Sequence, residues 1–342
     1  MHVKFGVIAD LHVDIMPDGA ARMQGFCEEA VRWGAEFLIH LGDMQYPEAE
    51  FLREADANGV EKAKQHSWFF CDRDDEKLEV KRLLRETGLP MYGVLGNHDM
   101  DACSKKATCR YWGMPSPYYS FVRGGLRFIA LDTNHIVTED GVLDFEVNNY
   151  RYYPGAQLSY LTSPQLKWLE EEILRSEEPC VLLSHAPLGD DLLCTKDRQE
   201  VWKILERVNA DRRRVIFALN GHNHIDGMSV RRGVPFISIN SASNIWIGHE
   251  WDAVRYSETI SRLYPHIKGC APYRDALFAF FEIDDETIRM TGRKTGFVGP
   301  SPQQLGFPKS AAYHEPVPYV RDRVLPVAAL DGDGRIPEED IL

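Results

Sequence analysis

Apolar and polar positions along the first hundred residues separate short apolar runs from amphipathic stretches. The run Val3 to Ala9 predicts a strand, Ala20 to Trp33 repeats its apolar residues at helical spacing, and Phe37 to Leu41 is a second apolar run. That succession is the rhythm of a layered α/β domain. Helices are predicted near Glu48 to His66 and Asp75 to Thr87, and Pro90 then introduces the strand Met91 to Leu95.

Tyr118 to Val122 and Leu126 to Asp132, separated by Arg123-Gly124-Gly125, predict a hairpin. Residues 133–162 have no strong period and are rich in Asn, Tyr, Gly and acidic residues, with Asn148-Asn149-Tyr150-Arg151-Tyr152-Tyr153 among them. A loop of that length inside a domain usually serves function, so it is a candidate substrate region. Ser163 is expected to cap a helix to about Ser176, with Pro164 in its first turn and Leu166, Leu169 and Ile173 on one face. Further strands are predicted at Cys180 to Leu183, Val215 to Leu219, Asp226 to Arg231 and Pro235 to Ile239, with a helix at Asp197 to Val208. Ala276 to Ile283 and Thr287 to Thr291 should finish the second sheet, with Asp284-Asp285 at the turn.

Between them, residues 240–275 carry Trp246, Trp251, Arg255, Tyr256 and Tyr264 and form a second candidate substrate region. The alternative for Trp246 and Trp251 is a lid packed on the core. From Gly299 the chain changes character, with Pro300, Pro302, Pro308, Pro316, Pro318 and Pro326. The expected organisation is therefore one domain over 1–298 and an extended tail over 299–342 that lies on the domain or crosses to a partner subunit.

Candidate chemistry sits where the predicted strands end. Asp10 and His12, Asp43, Asn97, His185, and His222 and His224 each follow an apolar run, and strand ends along one sheet edge can gather residues distant in sequence. Carboxylate oxygen, amide oxygen and imidazole nitrogen suit divalent Mn, Fe, Zn, Co or Ni, with Mn or Fe preferred, and the absence of cysteine argues against a closed structural zinc site. Seven donors exceed one tetrahedral ion. They suit two divalent metal ions sharing a carboxylate roughly 3.5–4 Å apart, with Asp43 assigned as the bridge. Gly42, Gly96 and Gly221 precede donors where backbone must come close. His2, His40, His66, His135, His249, His266 and His314 are read mainly as structural or surface residues, His40 through packing or a hydrogen bond behind a ligand.

The ordered motifs Ala9-Asp10-Leu11-His12, Gly42-Asp43, Gly96-Asn97-His98-Asp99, Ser184-His185 and Gly221-His222-Asn223-His224 resemble those of the calcineurin-like metallophosphoesterases over about residues 3 to 295. The resemblance implies a four-layer αββα sandwich, two mixed β-sheets flanked by helices, with a dinuclear centre on one edge. By motif, it implies that Asp10, His12, Asp43 and His224 hold one metal and that Asp43, Asn97, His185 and His222 hold the other. His98 matches the family's catalytic histidine, which contacts the substrate phosphate and protonates the leaving oxygen, and Asp99 matches its orienting partner. The reaction so implied is phosphoester hydrolysis by a metal-bound hydroxide. Phe5 to Asp10, Leu126 to Asp132, Gln165 to Leu169 and Thr291 to Arg293 are similar to the ADP-ribose and CDP-alcohol diphosphatase branch, which lacks a histidine at the position of His12. His12 brings the motif closer to cyclic-nucleotide phosphodiesterases. The expected activity is a phosphodiesterase acting on a small phosphorylated, nucleotide-like substrate, with phosphomonoesterase or nucleotide pyrophosphatase as alternatives on the same site.

Composition narrows the partners. A chain of 342 residues with 44% hydrophobic content can bury one large core. Its 52 acidic against 39 basic residues, a net charge of -13, repel polyanions and argue against a nuclease or another nucleic-acid partner. No apolar run reaches the roughly 18 residues that span a bilayer, and Met1-His2-Val3-Lys4-Phe5 enters a strand directly, so the expectation is a cytoplasmic protein without a membrane partner. Seven irregularly spaced cysteines are read as reduced thiols. A noncatalytic scaffold would be expected to lose donors or the histidine after Asn97, and this chain keeps them all.

Overall fold

The computed structural model describes residues 1–13, 15–44, 75–101, 104–308, 315–330 and 333–335. The helix predicted at Glu48 to His66 lies outside them, as do Cys71, Cys103 and His314. Strand β1 (Val3–Ile8) leads through α1 (Gly19–Trp33) to β2 (Phe37–His40), and α2 (Asp75–Glu86) leads to β3 (Met91–Gly93). After α3 (Lys105–Trp112) come the hairpin β4 (Tyr119–Arg123) and β5 (Leu126–Ala130) and a smaller hairpin, β6 (His135–Thr138) and β7 (Gly141–Asp144). Next are α4 (Ser163–Arg175), β8 (Cys180–Ser184), α5 (Arg198–Val208), β9 (Val215–Asn220), β10 (Gly227–Arg231) and β11 (Val234–Ser238). The remainder comprises β12 (Asn244–Trp246), α6 (Glu258–Leu263), β13 (Cys270–Pro272), β14 (Ala279–Ile283), β15 (Thr287–Thr291), β16 (Arg323–Pro326) and β17 (Gly334–Arg335).

Two mixed sheets result, ordered β16-β15-β14-β1-β2-β3 and β17-β10-β11-β9-β8-β5-β4. In the first, β1, β2 and β3 run parallel; in the second, β5, β8, β9 and β11 do. Their facing sides share an aromatic core. Phe5 of β1 stacks on Phe37 and Phe281 at 5.1 Å each and meets Phe128 of β5 edge-on at 5.3 Å. Phe217 of β9 stacks on Phe281 at 5.9 Å. Each such ring removed from water contributes about 1.5–3 kcal/mol, so the sheet contact dominates stability.

Helices close both outer faces. Met23, Phe26, Cys27 and Ala30 recur at helical spacing and give α1 its buried stripe, and Gly34 ends the helix in the left-handed region at φ 82°. Leu169 and Ile173 of α4 and Val201 and Leu205 of α5 pack with Leu182 and Ala218 of the second sheet. The architecture is the four-layer αββα sandwich with two mixed sheets. Thr162, not Ser163, caps α4: its extended backbone lets the hydroxyl accept the Gln165 N–H, which places Pro164 where a missing N–H costs nothing.

The stretch 133–162 contains the β6–β7 hairpin, whose four-residue strands are too short for a visible period. Lys105 anchors it, its Nζ donating to Asp132 Oδ2 and Asp144 Oδ1 at 2.7 Å and to the Asn134 carbonyl at 2.9 Å. Described parts of 299–342 add edge strands to both sheets, β16 beside β15 and β17 beside β10. Buried Arg323 binds Asp226 Oδ1 at 2.9 Å, and Arg321 reaches Asp226 Oδ2 at 2.9 Å. Among the described residues no helix is long and apolar enough to cross a membrane, and Cys27, Cys109, Cys180, Cys194 and Cys270 are free thiols.

Candidate metal centre

Parallel strands end on the same side of their sheet, and here the carboxyl ends of β1, β2 and β3 meet those of β8 and β9. Asp10, Asp43, Asn97, His185 and His222 stand just beyond those ends, with His224 next to His222. The connecting backbone is stitched together: the Asp10 N–H donates to the Gly42 carbonyl at 3.0 Å and the His12 N–H to the Asp43 carbonyl at 3.1 Å. A Cβ on Gly42 would collide with the Gly96 backbone and the His185 ring, and one on Gly96 would strike Asp43. Asp10, His12, Asp43, His222 and His224 all hold φ between 47° and 70°, and they make up half of the ten non-glycine residues with positive φ among the described residues. Left-handed backbone costs such residues roughly 1–2 kcal/mol each, and it persists where surrounding contacts over-determine it, typically at functional sites.

All seven predicted donors come together. Asp10, His12 and His224 form one group, with His12 Nε2 at 3.0 Å from His224 Nε2, which lies 3.4 Å from Asp10 Oδ1. In the other group His185 Nε2 lies 3.0 Å from Asp43 Oδ2, 3.1 Å from Asn97 Oδ1 and 3.1 Å from His222 Nδ1. Asp43 Oδ2 is also 3.9 Å from His12 Nε2, so one oxygen faces both groups. The far nitrogens are tied back: His185 Nδ1 donates to the Leu41 carbonyl at 2.7 Å and His224 Nδ1 to the Asn244 carbonyl at 2.6 Å. Such bonds turn Nε2 inward.

This donor set fits divalent cations. Three acceptor atoms surround His185 Nε2, which can offer only one proton, and the donors are buried apart from the partly buried His222, with two carboxylates among them. Lone pairs packed in this way are costly unless a cation lies between them. Burial works against the charge of Asp43, yet His185 and His98 hold its carboxyl well below the usual range. Burial likewise depresses His185, but the Asp43 carboxylate overrides it and raises the imidazole to about 9. His222 is pushed down to about 3 by burial and by His185, and His12 falls well below its ordinary value through burial. Two neutral imidazoles and an ionised carboxylate are thus ready to coordinate.

His98 stands at the mouth, its side chain 22% exposed and its ring 5.4 Å from that of His12. Its partner is not Asp99. His98 Nδ1 meets Asp101 Oδ2 at 2.5 Å, because residues 98–100 form a 3-10 turn, in which side chains three apart eclipse. Asp99 instead accepts the backbone N–H groups of Asp43 and Met44, both at 3.0 Å, and of Gly96 at 2.9 Å, clamping two donor loops together. Burial would lower His98, but the Asp101 and Asp43 carboxylates raise it to about 9. Tyr150, from the region 133–162, donates its hydroxyl to Asp101 Oδ1 at 2.5 Å and lies 3.2 Å from His98 Nδ1 and 3.4 Å from Asn97 Nδ2. Sequence reasoning missed Asp101 and did not single out Tyr150. The three-residue spacing in His98-Asp99-Met100-Asp101 was the available signal for the first.

Other candidates are structural. His40 is buried against the Trp112 ring at 4.7 Å, neither of its nitrogens has a hydrogen-bond partner, and burial followed by His185 lowers it to about 3. Packing is therefore its role. His135 joins Asp132 and Asp144 in a third donor group, but the Lys105 ammonium already fills the cation position there. His249 is exposed and pairs with Asp252 at 3.2 Å. Trp246 packs with the cluster of Ile15, Met16, Ile267 and Cys270, its ring 6.0 Å from His12 and 6.4 Å from His224.

Comparison with known proteins bears on the fold and the family. The structure is similar to a dimetal phosphatase from Danio rerio, at 16% identity and a TM-score of 0.56, covering 86% of this chain and 98% of that one. It is also similar to a purple acid phosphatase from yellow lupin (Lupinus luteus), at 11% identity and a TM-score of 0.49, covering 92% of this chain and 56% of that one. Among curated protein sequences none matches significantly. The family description "calcineurin-like phosphoesterase" matches residues 3–226, which include every donor and His98. The chain therefore belongs to the calcineurin-like phosphoesterases, a family of metal-dependent hydrolases of phosphoesters.

Proposed function

We propose that this protein is a phosphodiesterase that uses two divalent metal ions, Mn or Fe by preference, to hydrolyse a small nucleotide-like phosphodiester. The observation that carries the reading is the Asp43 carboxylate between two buried donor groups, with His98 at the mouth beside them. Asp10, His12, Asp43 and His224 would hold one ion, and Asp43, Asn97, His185 and His222 the other. When bound, such a pair supplies Lewis-acid stabilisation of charge on a phosphoryl group.

The chain's own residues account for the rest. His98, held on Asp101, is placed to contact the phosphate and to give a proton to the leaving oxygen. Trp246, beside His12 and His224, offers an aromatic wall on which a base or sugar could stack. The net charge of -13 favours a small substrate over a polyanion.

The test is a panel with Mn²⁺-loaded protein: bis-p-nitrophenyl phosphate, p-nitrophenyl phosphate, cyclic AMP, ADP-ribose and single-stranded DNA. The expected result is a higher kcat/KM for the small diesters than for the monoester or DNA, abolished by chelation and restored by the metal. A monoester or ADP-ribose turned over in preference to both small diesters would overturn the substrate assignment.

A further inference from the structure

Resting on the phosphoesterase reading, we infer that Asp101 and Tyr150 are positioning residues that aim His98 at the leaving oxygen, with Tyr150 carrying the 133–162 segment into that task. Four observations meet here. Asp101 is almost fully buried, its side chain 2% exposed, and uses one oxygen for His98 Nδ1 and the other for the Tyr150 hydroxyl, each at 2.5 Å. Both carboxylate oxygens are therefore committed, and the imidazole plane is set by a group that cannot itself rotate freely. With Nδ1 held on Asp101, proton transfer to substrate falls to Nε2.

Tyr150 is in turn fixed by its own segment. Its ring stacks on buried Phe145 at 4.5 Å with an interplanar angle of 15°. The Asn148 N–H donates to the Met100 carbonyl at 3.1 Å, docking the segment on the very turn that bears His98 and Asp101. Lys105 holds the β6–β7 hairpin through Asp144 and the Asn134 carbonyl. A bonded chain thus runs from the β6–β7 hairpin through Tyr150 and Asp101 to His98. Neither Asp101 nor Tyr150 is among the donors of the metal groups.

The step they serve balances simply. As the oxygen of an incoming hydroxide bonds to phosphorus, the bond from phosphorus to the leaving oxygen breaks, its electron pair stays on that oxygen, and the Nε2 proton of His98 moves to it. The ring is left neutral, keeping its Nδ1 proton, which it still donates to Asp101. Help of this kind matters most for a leaving group that is a strong base and least for one already stable as an anion.

The experiment compares phenyl with p-nitrophenyl leaving groups, on both monoesters and diesters, for wild type, Asp101→Asn and Tyr150→Phe. Metal content is measured for each protein. Asp101→Asn should lower kcat about 10- to 100-fold on the phenyl ester and far less on the p-nitrophenyl ester, with KM and bound metal unchanged. Tyr150→Phe should show the same leaving-group bias at about one tenth of that size.

A second readout needs no turnover. In metal-free protein labelled with ¹⁵N-histidine, the His98 Nδ1 proton should give a downfield, slowly exchanging resonance that Asp101→Asn abolishes and Tyr150→Phe shifts. Equal losses on both leaving groups, loss of metal in step with activity, or a resonance indifferent to Asp101→Asn would each overturn the inference. Wild-type protein inert toward every ester would instead remove the phosphoesterase reading beneath it, and this inference with it.

Discussion

Replacing Asp99 with alanine should damage the architecture of the metal centre rather than the orientation of His98. Asp99 is buried at 3% exposure and accepts three backbone N–H groups, from Asp43, Met44 and Gly96. Burial and the neighbouring Asp43 carboxylate raise it to about 7, and the N–H of Gly96 opposes that rise. The side chain is thus an uncomfortable acid kept for its acceptor oxygens. Asp99→Ala strands three donors, each costing roughly 1–3 kcal/mol when left dry. Water entering the vacated space recovers part of this, so a loss near the lower end, about 3 kcal/mol, is the expectation. The freed N–H groups belong to the loops bearing Asp43 and Asn97, so metal affinity should fall together with stability. Urea unfolding followed by circular dichroism measures the first, and calorimetric Mn²⁺ titration the second. A variant with unchanged stability and unchanged metal affinity, but reduced kcat, would refute this reasoning and return Asp99 to the role of histidine partner.

Two other perturbations probe the segment that carries Tyr150. Lys105→Met leaves buried Asp132 without its cation and should cost about 3–5 kcal/mol in urea unfolding; a change below about 1 kcal/mol would show that the ammonium is dispensable. Asp197, which accepts the Leu161 N–H at the end of the segment, is raised by burial from 3.8 to about 6, the N–H opposing the rise. Because its folded value exceeds its unfolded one, the native state binds the proton more tightly, and stability falls as pH climbs from about 4 to about 6. Asp197→Asn removes that term, so the melting temperature of wild type should drop relative to the variant across this window. Parallel curves would contradict the assignment.

Much of this protein was written in local order. Apolar runs ending in a carboxylate, amide or imidazole side chain, three of them through a glycine, marked β1, β2, β3, β8 and β9 and picked out the seven residues that the fold gathers, because a strand's period and the residue after its end are short-range properties. His98 was legible for the same reason, since it follows Asn97 directly. What the sequence could not show was which carboxylate serves which neighbour. Asp99 and Asp101 look equivalent on the page, and only the 3-10 turn puts Asp101 over His98 and sends Asp99 to three backbone donors. Tyr150 reaches the same turn from some fifty residues away, through a hairpin whose strands are too short to leave a pattern. The edge strands contributed by 315–335, and the capture of Asp226 by Arg321 and Arg323, depend on partners that are distant in sequence, some thirty to forty residues for β16 and about a hundred for β17 and Asp226. Periodicity reports the face a residue presents, whereas the partner it meets there is set by how separately formed elements pack, and that is decided only when the two sheets close on their common core.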